Sequence, residues 1–65
     1  MNLRKKHFRF AIGIVVTVAG DRRSRRRIVA RRYMYQPPKG DVYWLDRPVQ
    51  GLNYFNGDDL VRVRS

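Results

Sequence analysis

Seven of the twelve residues from 21 to 32 are arginine, in the run Asp-Arg-Arg-Ser-Arg-Arg-Arg-Ile-Val-Ala-Arg-Arg. Concentrated guanidinium charge repels itself and usually persists where a polyanion is available to neutralise it. Arg4, Lys5, Lys6 and Arg9 precede the run, and Lys39 follows it. Residues 1–40 hold twelve Lys/Arg against Asp21 alone, a net of +11, whereas residues 41–65 hold three Arg against four Asp, a net of −1. Such a division points to a nucleic-acid surface more strongly than the total charge of +10 does. Arginine outnumbers lysine twelve to three, and glutamate is missing. A guanidinium grips phosphate bidentately and stacks on bases, which an ammonium cannot do. Codon bias in a GC-rich genome is the competing reason for the choice.

A chain of 65 residues makes one domain, residues 1–65, with 1–7 as a basic N-terminal tail. So small a domain buries only about 60% of its unfolded surface and usually needs a staple. With no cysteine and one histidine, neither a disulfide nor a Cys/His zinc site is available. Packing, self-association or the polyanion must supply the stability. A hydrophobic share of 43% is that of an ordinary folded domain.

Period two dominates the front of the chain. Phe8, Phe10, Ile12, Ile14, Val16 and Val18 fall on one face and Arg9, Ala11, Gly13, Val15 and Thr17 on the other, which predicts one long strand bent at Gly13. The same region has the form of a signal peptide, with a basic stretch to Arg9, an apolar stretch over 10–19 and Thr17-Val18-Ala19 as a cleavage site. Gly13 and Thr17 interrupt that apolar stretch, and cleavage would leave an arginine-rich fragment without cysteine, so the strand is the preferred reading. Ten apolar residues also fall short of the roughly 20 that span a bilayer. Ala19-Gly20-Asp21 begins a turn, and the chain re-enters β structure at about Arg27. Residues 28–35 are β-branched and aromatic, with Arg31 on one face and Arg32 on the other. A hairpin with a basic tip is favoured over an arginine-rich helix capped by Asp21. Gln36-Pro37-Pro38-Lys39-Gly40-Asp41 breaks the chain. Further strands are expected at 42–45, ended by Asp46-Arg47-Pro48, and at 51–55, ended by Asn56-Gly57. Asp58-Asp59-Leu60 reads as one 3₁₀ turn and Val61-Arg62-Val63 as a closing strand.

The stretch Gly40-Asp41-Val42-Tyr43-Trp44, followed by Tyr54-Phe55-Asn56-Gly57-Asp58-Asp59-Leu60-Val61-Arg62-Val63, resembles the ending of SH3-like small barrels of the KOW and Tudor kind. The likeness covers about 25 residues. It implies an aromatic strand, a glycine turn, a 3₁₀ turn with Leu60 as a plug, and a short last strand. The expected fold is therefore all-β, a small five-stranded SH3-like barrel with an arginine-rich hairpin between strands 1 and 2. Trp44 and Phe55 are the expected core aromatics.

Catalysis finds little to work with. His7 lies in the basic tail, Asp58-Asp59 is the one adjacent carboxylate pair and reads as turn and cap rather than as a Mg²⁺ site, and Ser24 has no accompanying base. The chain is expected not to be an enzyme and to need no metal or cofactor. Arg22, Arg23, Arg25, Arg26, Arg27, Arg31, Arg32 and Lys39 are the candidate phosphate contacts, with Tyr33 and Tyr35 as base-stacking rings. The expected function is a small, cytoplasmic, basic protein that binds DNA or RNA through the phosphate backbone. Two alternatives stay open: a module that docks an acidic protein, as a phage or plasmid inhibitor of a host enzyme would, or a structural part of a ribonucleoprotein or virion. No membrane partner is expected. A homodimer is, because an apolar first strand with open edges invites pairing.

Overall fold

The structure, a computed structural model, describes residues 8–37 and 39–64. The expected basic tail over residues 1–7, with Arg4, Lys5, Lys6 and His7, lies outside the described residues. Five strands form one antiparallel sheet: β1 (Val15–Val18), β2 (Asp21–Met34), β3 (Gly40–Val49), β4 (Leu52–Asn56) and β5 (Leu60–Arg62). Their order across the sheet is β4-β3-β2-β1-β5. The all-β expectation holds, but the barrel does not close: β4 and β5 are the two edges and no ladder joins them.

The front strand is much shorter than periodicity predicts. Gly13 sits at φ +99°, a conformation costly for any residue with a Cβ, and the chain turns there before β1 begins at Val15. Residues 8–10 instead cross the core as a strap, which keeps Phe10 buried and leaves Ile12 exposed. β1 is flanked by β2 on one side and β5 on the other. Its edges are therefore not open, so the free strand edge on which the expected homodimer rests is absent at β1.

Arginine does not hold the chain out of β structure. β2 begins at Asp21, not at Arg27, and carries all seven arginines of the run along its length. The turn before it is Ala19-Gly20, so the arginines lie beyond the tip, and no helix forms. Alternation lets this happen, because every second side chain of a strand faces away from the core. Fourteen residues would extend about 45 Å if straight, yet the longest dimension of the molecule is 40 Å. Irregularities shorten it. Against β1 the register shifts between Val16 and Val18, where Val18 N–H donates to Ser24 Oγ (2.9 Å) and the Ser24 hydroxyl donates to the Asp21 carbonyl (2.7 Å). Ser24 is thus a buried structural residue. Against β3 the shift falls between Ile28 and Ala30, leaving Val29 unmatched as a bulge.

Asp46-Arg47-Pro48 interrupts the ladder without ending β3, which runs on to Val49 and turns through Gln50-Gly51 into β4. Proline is tolerated because β3 pairs with β2 only as far as Leu45. The 3₁₀ turn is Gly57–Asp59, one residue earlier than expected, and Leu60 opens β5. The core is Phe10, Val16, Ile28, Tyr43, Leu45, Val49 and Leu60, with Phe8, Ile14, Val18 and Phe55 packed against it. Tyr43, wholly buried, replaces Trp44 as the central ring; Phe55 does support the core, and Leu60 is buried as the plug reading requires. Tyr43 wins because its hydroxyl finds partners inside: it accepts from Phe10 N–H (3.1 Å) and donates to Asp41 Oδ2 (2.6 Å).

Candidate nucleic-acid interface

The bulge at Val29 decides where each arginine points. Residues paired directly across two strands share a face. Before the bulge Arg26 pairs with Val16 and lies on the core side, while Arg27 pairs with Val15 on the outer side. After it Arg31 pairs with Tyr43 on the core side and Arg32 with Val42 on the outer side. The run therefore does not form one patch. It wraps both flanks of β2.

Three of the seven arginines are used within the chain. Arg26 donates to the carbonyls of Arg25 (2.8 Å) and Pro48 (3.2 Å), tying β2 to the far end of β3. Its Nε is buried and has no acceptor among the described residues. Arg27 donates to the Gly13 carbonyl (2.7 Å), and its own backbone N–H donates to Asp46 Oδ1 (3.1 Å). Arg31 donates to the Phe10 carbonyl (3.1 Å) and lies 4.3 Å over the Phe8 ring, a cation–π contact that clamps the strap. Arg22, Arg23, Arg25 and Arg32 are exposed, and among the described residues their guanidinium groups meet neither a carboxylate nor a carbonyl.

Among the described residues the ion pairs of the acids are with Arg9 and not with the arginines of β2. Asp41 is buried and accepts from the Tyr43 hydroxyl and from Arg9 N–H (3.2 Å), with Arg9 Nε 3.5 Å from the same oxygen. Burial alone would raise its pKa; the Tyr43 hydrogen bond and the Arg9 amide and charge outweigh that and hold it below the usual carboxylate range. Asp58 pairs with the Arg9 guanidinium, and Asp21 accepts from Arg23 N–H (3.1 Å). Among the described residues no group of three or more acids and histidines is placed to hold a metal.

The expected stacking rings divide. Tyr33 is half-buried, edge-on to Phe8 (6.1 Å between centroids) and 5.3 Å from Tyr35, so it closes the end of the core. Tyr35 is 57% exposed just past the end of β2. Lys39 is exposed before β3. Sequence reasoning missed the pair Trp44 and Tyr54, whose rings lie 6.0 Å apart and tilted by 33° on β3 and β4. Their alternation with buried Tyr43 was the available signal. A shallow cleft of about 320 Å³ lies between β1, β2 and the end of the chain, lined by Ile14, Val15, Arg25, Arg62 and Val63.

No family model matches the chain, and neither the curated proteins nor the solved structures contain a match. Among the described residues no helix is long and apolar enough to cross a membrane.

Proposed function

We propose that this protein binds nucleic acid through the phosphate backbone, using the arginines of β2. The observation that carries the reading is the division of labour within the run. Arg26, Arg27 and Arg31 are engaged by carbonyls of the chain itself, while Arg22, Arg23, Arg25 and Arg32 extend from both flanks with no internal acceptor among the described residues. Four desolvatable, bidentate donors along one strand suit a polymer of phosphates better than a single anion. The expected setting is the cytoplasm, where such polymers are met. An SH3-like kinship of the fold is supported by its ending: aromatic β4, the 3₁₀ turn Gly57–Asp59, buried Leu60 and short β5. The sheet nevertheless stays open between its edges.

Affinity is then mainly counterion release, and each neutralised phosphate contributes about 0.9 to the log–log salt slope on duplex DNA and about 0.7 on a single strand. Replacing Arg22, Arg23, Arg25 and Arg32 together by alanine should flatten the slope by about three to four units, from roughly 0.7 each on a single strand to 0.9 each on duplex DNA. Arg26→Ala is the contrasting variant. It should lower the melting temperature by freeing β2 from Pro48, and change the slope less than the loss of any one exposed arginine. A quadruple variant with the parent slope would remove β2 as the contact surface. Binding confined to one acidic protein would favour the docking alternative.

A further inference from the structure

The face of the sheet opposite the core carries an aromatic pair beside an exposed arginine. Cross-strand register places Ala30, Trp44 and Tyr54 in one row and Arg32, Val42 and Asn56 in the next, where Val42 is itself buried and only Arg32 is fully exposed. Tyr43, one residue from Trp44, is wholly buried on the core side, so these rows face the other way. Tyr54 is 52% exposed, and Trp44 is partly so. Neither Trp44 nor Tyr54 belongs to the core cluster. Two adjoining aromatic rings on a strand surface, with an unengaged guanidinium in the neighbouring row, need an occupant that offers both a π-face and an anion.

We propose that this face stacks unpaired bases, and that the polyanion is a single-stranded nucleic acid. The proposal rests on the phosphate-binding reading above and names its partner. A duplex shows only base edges in its grooves, whereas an unpaired strand exposes the flat face of each base, and any base can stack on an aromatic ring. The two rings already lean on each other, so a base stacks on the open side of Tyr54 rather than between them. Arg32 then meets the phosphate that flanks the stacked base. Charge discriminates among occupants. A second copy would bring another net charge of +10 to the face, whereas an unpaired strand brings neutralising phosphate together with the ring surface.

Trp44 is the single tryptophan, so its emission reports on this face directly. The parent protein is titrated at low salt with an unstructured oligothymidylate and with a DNA duplex of the same length. Quenching of Trp44 by the single strand, and little change with the duplex, is the expected result. Tyr54→Ala should weaken single-strand binding by about tenfold, while duplex affinity and salt slope stay at parent values. Tyr54→Phe, which keeps the ring, should restore single-strand binding. Should the alanine variant melt early, the phenylalanine variant and the parent quenching decide. Equal binding of both polymers without a Trp44 response overturns this proposal and leaves the phosphate reading standing. Binding of neither overturns both. Quenching that grows with protein concentration alone assigns the face to a second copy and also overturns it.

Discussion

Gly57 lacks a side chain for a reason that lies on another strand. A Cβ there would sit 2.5 Å from Asp41 Oδ2 and 2.9 Å from its Cγ. Asp41 cannot swing aside cheaply, because the Tyr43 hydroxyl, the Arg9 amide and the Arg9 guanidinium all hold it. Gly57→Ala should therefore destabilise by about 1–3 kcal/mol, the usual range for overpacking. A variant that melts with the parent would show that Asp41 yields freely. The same carboxylate makes stability depend on pH. Its folded-state pKa lies below the ordinary value, so the unfolded chain takes up the proton first as pH falls. The contribution of Asp41 is thus complete above about pH 4 and lost progressively below it. At the alkaline end Tyr43 acts in the opposite sense. Burial and the hydrogen bond to Asp41 raise its pKa, so its stabilisation is lost as pH rises past about 10. Thermal melts across acid pH should show the first loss in the parent and a shallower one in Asp41→Asn. Parallel curves would remove Asp41 as its source.

At the scale of elements, the hairpin joining β3 to β4 carries a correctable flaw. Gln50 stands at φ +51° and Gly51 at φ +85°, the two positive angles of a two-residue turn in which asparagine is the favoured first residue. Gln50→Asn should stabilise by about 0.5 kcal/mol, since asparagine enters the left-handed region more readily. A lower melting temperature would mean that the Gln50 side chain contributes something of its own. This hairpin was hidden in the sequence because Asp46-Arg47-Pro48 looks like an end, and only the ladder shows the strand resuming at Val49. The all-β class, the 3₁₀ turn to within one residue and the burial of Leu60 were legible because each depends on local residue types, whereas the alternation over residues 8–18 overstates the first strand. The faces of β2 were not. Strict period two assigns Ile28 and Arg31 to opposite sides, yet the unmatched Val29 brings both to the core side. A bulge adds a residue without a composition signal of its own, and that is why Arg26, Arg27 and Arg31 could not be told from the free arginines. The strap at residues 8–10 was missed for a related reason: Phe8 and Phe10 alternate as a strand would, but their partners are Arg31 and Tyr43.

For the molecule as a whole, charge and size together set the conditions of stability. A net charge of +10 on 65 residues destabilises the compact state through self-repulsion, and no disulfide opposes it. Raising salt from about 50 to about 500 mM shortens the Debye length several-fold, so the free protein should melt at a higher temperature in the stronger salt. A bound polyanion should act in the reverse order. At a free nucleic-acid concentration of about 100 Kd, binding adds roughly 2.7 kcal/mol to stability. In a domain of this size that corresponds to about 10–20 °C in melting temperature. With four phosphate contacts, tenfold more salt weakens affinity by about three decades, at roughly 0.7 decade each on a single strand and 0.9 on a duplex. The same nucleic-acid concentration then falls far below Kd, and the increment should vanish. Melting curves with and without nucleic acid at the two salt levels test both halves together. Free and bound curves should lie far apart at low salt and coincide at high salt. An increment that survives the stronger salt would mean that stacking on the outer face, and not the arginines of β2, holds most of the affinity.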